Sequence, residues 1–210
     1  MTYENTLNTE REALNLINKY GCVTLFPIKG AAFPSLYRAV SGKNRDEKFT
    51  KTWDWADHMA KKKKVYYGKL VKKQVTLIAL EMFPHFYKLF RRDEFSGAPQ
   101  KILDFLKRHG AASTTDLREK LNLMGRESKG EFTKAMDTLQ IAFAIAVVDR
   151  EKSPKMTYTW DLLERWMPKD LLRKAEKLSE KAAKEKISAK LLENKVINRA
   201  EEASKLLGWR

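Results

Sequence analysis

Lysine is the residue whose spacing in this chain speaks most directly of chemistry. Lys61-Lys62-Lys63-Lys64 is followed by Lys69, Lys72 and Lys73, seven lysines in thirteen residues. An array of this kind can follow a phosphate backbone while its ammonium groups displace condensed counterions. Tyr66 and Tyr67 are interleaved with it, and a tyrosine ring can stack on an exposed base. The alternative is a solvated lysine edge that blocks strand-to-strand aggregation, with the tyrosines in or beside the core. A second amine, Lys29, stands between Pro27-Ile28 and Gly30. A loop lysine there is a phosphate contact or an amine nucleophile. The remaining reactive residues are sparse. His58, His85 and His109 have no metal-ligand spacing, so no metal and no cofactor are expected. Cys22 lies in the apolar run 22–26 and reads as a buried structural thiol. Neither a phosphate-cradling glycine loop nor a nucleophile elbow is present.

The charge of the whole chain supports the lysine reading. Lys and Arg number 42 against 27 Asp and Glu, a net charge of +15. A polyanionic partner follows, nucleic acid ahead of an anionic membrane surface. The excess is uneven. Residues 1–98 carry 18 basic and 10 acidic side chains, residues 99–168 carry 12 and 10, and residues 169–210 carry 12 and 7. No apolar run reaches the ~20 residues of a membrane span, and the N-terminus lacks a signal-peptide pattern. A cytoplasmic protein is expected.

The elements that must hold these residues read as three segments: 1–98, 99–168 and 169–210. In the first, Thr9 caps a helix whose apolar face is Ala13, Leu14 and Ile17, with Gly21 as its stop. A β-like run, Val23 to Ile28, precedes a helix from Ser35 to Val40. Residues 41–51 read as a polar loop, and Trp53, Trp55 and Met59 lie on a short third helix. Val65–Leu70 and Val75–Leu80 form a hairpin through residues 71–74, without the Asn-Gly turn such hairpins favour. Phe83–Phe90 is an aromatic helix, and Ser96-Gly97-Ala98-Pro99 marks a boundary.

The middle segment has the clearest pattern. A helix over 100–108 turns Ile102, Leu103, Phe105 and Leu106 inward. A short extended piece, 111–113, leads into a helix over 114–121. A third helix starts at Ser128, where Ser128 and Glu131 have capping-box spacing. Phe132, Ala135, Met136 and Leu139 recur at i, i+3, i+4, i+7 along it. Two strands close the unit, Ile141–Val148 and Met156–Trp160, joined by a charged loop with Lys152 and Lys155. This order is that of a winged helix. In a helix-turn-helix the N-terminal residues of the second helix enter the major groove, which nominates Lys129 and Lys134, with Arg126 just before them. The alternative is an amphipathic helix with solvated charges, or a winged helix used for protein contact or transcriptional regulation. The tail is helical with a thin stripe at Leu171, Ala175, Leu178 and Ala182. It reads as a solvated helix, an oligomerisation element or two helices of a further module.

Five stretches carry a family resemblance. Phe26-Pro27-Ile28-Lys29-Gly30, Phe33-Pro34-Ser35-Leu36-Tyr37, Thr52-Trp53-Asp54-Trp55, Val65-Tyr66-Tyr67-Gly68-Lys69-Leu70 and Phe83-Pro84-His85-Phe86-Tyr87 resemble a bacterial group related to the AlkZ/YcaQ winged-helix DNA glycosylases. The likeness covers residues 9–167, and Leu207-Gly208-Trp209 extends it. It implies tandem winged helices around a DNA channel, the first with residues 65–80 as its hairpin. Active members of that family excise alkylated or crosslinked bases with a Gln-x-Gln or Gln-x-Asp motif. The corresponding stretch here, Phe26 to Gly30, holds neither glutamine nor carboxylate, so no catalytic residue carries over. The expectation is a mainly α protein with small β-hairpins (α+β), built from tandem winged-helix modules plus C-terminal helices. It binds double-stranded DNA, with a diverged glycosylase as the alternative.

Overall fold

The computed structural model of the chain describes residues 5–151 and 157–209. The Lys152 and Lys155 of the charged loop fall outside them. The protein is mainly helical, with two small antiparallel sheets.

One order of elements occurs twice. The first unit runs α1 (Glu10–Tyr20), β1 (Cys22–Thr24), α2 (Leu36–Ala39), α3 (Arg45–Lys61), β2 (Val65–Lys69) and β3 (Val75–Ala79). After α4 (Phe83–Phe90), the second runs α5 (Gly97–His109), β4 (Ala112–Ser113), α6 (Thr114–Lys120), α7 (Ser128–Ile141), β5 (Ile145–Glu151) and β6 (Thr157–Leu162). The sheet orders match as well: β1-β3-β2 and β4-β6-β5. Four helices follow: α8 (Leu163–Trp166), α9 (Lys169–Glu176), α10 (Glu180–Glu193) and α11 (Glu202–Leu207).

Local chemistry explains most starts and stops. Thr9 and Glu12 form a reciprocal capping box on α1, and Gly21, at φ 77°, ends it. Ser113 and Asp116 do the same on α6. The box expected at Ser128 does not form. Glu127 occupies the cap with helical backbone angles, and Ser128 Oγ donates to the Gly125 carbonyl instead. Of residues 41–51, only 41–44 are loop; 45–51 are helical. Asn44 accepts from the Glu47 amide and starts the 17-residue α3, whose Thr52, Ala56, Met59 and Ala60 are buried. The strand after α1 is only three residues long, and Pro27, which has no amide to donate to a ladder, follows it closely. The stretch 96–99 is the start of α5, where a proline is tolerated because the first-turn amides have no helical partner. Helix α7 runs on to Ile141, so the following strand begins at Ile145. On α1 the buried face is Ala13, Leu16, Ile17 and Tyr20, leaving Leu14 at its edge.

The first sheet is covered on both faces. Val65, Tyr67, Leu77 and Ala79 join a core with α1, α2 and α3. Tyr66, Ile78 and Cys22 face a second core with α4, α10 and α11. Such a sheet reads as a continuous apolar run. Tyr66 and Tyr67 are therefore 1% and 4% exposed, and neither is free to stack on a base. Tyr66 reaches across Gly68 to donate to the Gln140 carbonyl of α7. A Cβ on Gly68 would stand 2.5 Å from that hydroxyl, so glycine is required by close approach rather than by backbone angle.

Both cores draw residues from both units, which locks them together. Phe143, just past α7, is fully buried at φ 53°. Its ring stacks on Tyr66 with centroids 4.7 Å apart. Burying a phenylalanine is worth about 1.5–3 kcal/mol, which offsets the roughly 1–2 kcal/mol cost of the left-handed backbone. The C-terminal helices use their apolar faces within the chain: Ala183, Ile187 and Leu191 of α10 enter the second core beside Phe86 and Phe90. On the α9–α10 stretch the predicted stripe is buried only at Ala175; the buried face shifts to Ala183, Ile187 and Leu191. Among the described residues no helix is long and apolar enough to cross a membrane.

Candidate functional site

The two units meet along a cleft of about 410 Å³. The first contributes Trp53 of α3 and Tyr67, Lys69 and Val75 of the hairpin. The second contributes α6, α7 and β6, including Phe132, Tyr158 and Trp160. The tryptophan of β6 is fixed through its ring: Trp160 Nε1 donates to Thr114 Oγ1 at 2.8 Å, which donates to the Tyr158 carbonyl. Tyr67 and Tyr158 meet hydroxyl to hydroxyl at 3.2 Å. Burial holds the Tyr67 phenol well above its ordinary pKa, and the neighbouring Tyr158 adds to the effect.

Ion pairs tie the units beside this cleft, among them two at its walls. Lys69 Nζ lies 2.6 Å from Asp137 of α7. Arg150 of β5 pairs with Asp57 of α3, their side chains only 10% and 13% exposed. The Arg150 guanidinium also lies 5.1 Å from the Trp53 ring centroid and 5.8 Å from that of Tyr158. The Lys69–Asp137 pair closes the C-terminal half of α7 against the first hairpin, and the Arg150 contacts close β5 against α3. The N-terminal end of α7 stays open, with Arg126, Lys129, Thr133 and Lys134 exposed.

The lysine array is not one stripe. Lys61–Lys64 and Lys72–Lys73 flank β2, a strand of about 17 Å at ~3.3 Å per residue. Lys61 bonds Asp149 at 2.8 Å, and this ammonium holds the Asp149 carboxyl below its ordinary pKa. Lys64 lies 3.6 Å from Glu10, and Lys63 stands over Trp166 at 5.8 Å. Lys62, Lys63 and Lys73 are exposed without an acidic partner among the described residues. Lys72 donates to the Lys205 carbonyl of α11. Lys72 and Lys73 hold φ of 49° and 59°, and Gln74 N donates to the Val71 carbonyl. This is a tight turn in which lysines occupy places that Asn-Gly ordinarily takes.

Several other residues stand apart. Lys29 is exposed on its loop. The Cys22 thiol is pushed up to about 12 by burial, which silences it as a nucleophile. His85 is held below its ordinary pKa by burial and by Lys186. Among the described residues no group of three or more His, Cys, Asp or Glu is placed to hold a metal.

Sequence reasoning missed the cleft and the first turns of one helix, α3, whose later part it placed at Trp53, Trp55 and Met59. Helix α3 holds in the first unit the place that α7 holds in the second, and its N-terminal turns expose Arg45 and Phe49. The signal was present: Asn44 precedes Glu47 by three, and Phe49, Thr52, Trp53, Ala56, Met59 and Ala60 recur at helical spacing. The charged residues of 43–51 hid it.

The sequence model described as AlkZ related matches residues 7–208 of the chain. No curated protein and no solved structure matches it.

Proposed function

The chain belongs to the AlkZ-related family, and from that premise we propose that it is a DNA-binding protein of the DNA-repair class, built on two winged helices. The observation that carries the reading is the repeated order helix, strand, helix, helix, strand, strand, with matching sheet orders. In a winged helix the third helix presents its N-terminal residues to the major groove. In the second unit those residues are Lys129, Thr133 and Lys134 at the open end of α7, with Arg126 before them. Their partner is double-stranded DNA, gripped mainly through phosphates, since Asp137 and Glu131 lower the local potential. Lys62, Lys63 and Lys73 add backbone contacts. Lys61, Lys64 and Lys69 contribute less, because each already neutralises a carboxylate.

The strained turn supports a role for Lys72 and Lys73. Non-glycine residues in left-handed backbone persist where the surroundings compensate, often at functional positions. The test is duplex binding by a Lys129→Ala/Lys134→Ala variant. Affinity falls at least tenfold while the unfolding transition stays put. Unchanged affinity would count against α7 as a DNA-contacting helix.

A diverged DNA glycosylase is the second reading, and one observation favours it. Asp137, paired with Lys69, and the buried Gln140 are among the residues that line the cleft, so a carboxylate and an amide residue lie beside an aromatic pocket although Phe26 to Gly30 lacks such a pair. Incubation with alkylated or crosslinked DNA, followed by a count of abasic sites, tests it. Absence of base release at high protein concentration removes this reading. Borohydride trapping of any product would direct attention to Lys29.

A further inference from the structure

We propose that a groove between the first unit and the C-terminal helices binds an extended acidic peptide segment of a partner protein. This site stands apart from the open end of α7: none of its lining residues belongs to the second unit. Three observations carry it.

The first is shape. Two hollows of about 470 and 290 Å³ adjoin across Ala32, Phe33 and Val196 and form one groove. Residues of α1 and α2 line one end, and residues of α11 line the other. The chain's own bonds hold it open. Asn194, at the end of α10, donates through Nδ2 to the Lys19 carbonyl of α1 and to the Lys190 carbonyl, both at 2.9 Å. At the far end Lys72 donates to the Lys205 carbonyl.

The second is unpaired backbone. The loop before α2 lies at the edge of the first sheet, where Ser35 bridges Thr24 of β1 in parallel. Thr24 N donates to the Pro34 carbonyl, and Ala31 N to the Ile28 carbonyl. Between them, the amides and carbonyls of Ala32 and Phe33 have no hydrogen-bond partner among the described residues. Free backbone beside a groove suits a peptide that adds itself as a strand: main-chain bonds give affinity, and alternate side chains give specificity.

The third is charge. Lys19, Arg38 and Lys195 border the first hollow, Lys72 and Lys205 the second. Arg38, Lys195 and Lys205 have no acidic partner among the described residues. The two carboxylates of the lining are matched already, Glu193 at 3.9 Å from Lys190 and Glu202 at 3.5 Å from Arg199. A positive rim thus surrounds apolar lining from Pro34, Val196 and Leu206. Carboxylates alternating with apolar side chains complement both. A nucleic-acid strand complements only the rim: the rings in the lining, Phe33 and Tyr20, are 2% and 8% exposed, too buried to serve as stacking platforms.

Fluorescence anisotropy with the full chain and labelled peptides tests the proposal. One probe alternates leucine with glutamate, and a second alternates leucine with lysine. Two more are the acidic probe methylated at alternate backbone amides, one in each phase. The acidic probe should bind about tenfold or more tightly than the lysine probe, and Arg38→Glu/Lys195→Glu should weaken it by about tenfold or more, since like charges then face each other. One methylation phase should cost about fivefold or more, the loss of one or two main-chain bonds. Thermal unfolding checks the variant. Should it be destabilised, Arg38→Gln/Lys195→Asn removes the charges while asparagine tolerates the left-handed backbone that Lys195 holds at φ 55°, and acidic-probe affinity should still fall. Equal binding of the acidic and lysine probes overturns the inference. So does an acidic probe indifferent to the folded variant, or to methylation in both phases. Displacement of the probe by single-stranded DNA, with DNA binding weakened by the same substitutions, assigns the groove to nucleic acid and overturns it too.

Discussion

Removing the Arg150 guanidinium should cost more than any other single change beside the cleft. Arg150 and Asp57 are 10% and 13% exposed, and they join β5 of one unit to α3 of the other. Arg150→Ala leaves the largely buried Asp57 carboxylate without this guanidinium. Breaking a buried pair by deleting one partner costs about 3–5 kcal/mol. The contacts over Trp53 and Tyr158 at 5.1 and 5.8 Å belong to the same group, so they are part of that figure. For a chain of this length the melting temperature falls roughly 6–20 °C, at about 2–4 °C per kcal/mol. Urea unfolding followed by tryptophan fluorescence measures it, and Trp53 reports on the site directly. Asp57→Leu/Arg150→Met replaces the pair with apolar side chains and should recover most of the loss, because both desolvation costs disappear together. A loss below about 1 kcal/mol for Arg150→Ala, typical of an exposed pair, would refute the reasoning. So would a double variant no more stable than the single one.

Four further outcomes follow from the geometry. Gly68→Ala drives a methyl into the Tyr66 hydroxyl and should cost about 1–3 kcal/mol by chemical denaturation. Lys72→Asn/Lys73→Gly relieves two left-handed lysines; stability should rise by about 1 kcal/mol while duplex affinity falls. Lys61→Ala removes the ammonium that holds Asp149 down, so the Asp149 carboxyl should titrate at higher pH by NMR. His85 is held below its ordinary value by burial and Lys186. The folded state therefore binds a proton less readily than the unfolded chain, and the stability this contributes is full above about pH 6.5 and lost as pH falls below it. A His85→Gln variant should flatten that part of the stability-versus-pH curve.

How far the sequence disclosed this protein depends on the level. Local signals were legible: Thr9 caps α1 and Gly21 stops it as their chemistry dictates. The second unit was legible throughout in outline, because its helices carry clean 3.6-residue periodicity. The burial of Tyr66 and Tyr67 was the reading their type favoured, but nothing local shows that α10, a hundred residues later, covers the face of the sheet that carries Tyr66. The lysine array looked continuous because sequence neighbours were taken as spatial neighbours, whereas a strand carries its two ends apart. The cleft was invisible for the same reason. Its rings come from residues 53, 67, 132, 158 and 160, and only the packing of one unit on the other brings them together.

The claim that this protein grips DNA through phosphates is tested most directly by measuring duplex affinity across a series of salt concentrations. Each neutralised phosphate contributes about 0.9 to the slope of log K against log salt. With Arg126, Lys129, Lys134, Lys62, Lys63 and Lys73 in play, a slope of about −3 or steeper is expected, reduced by about one when Lys129 becomes alanine. An affinity that hardly changes from low to moderate salt would contradict the account, whatever the family to which the chain belongs.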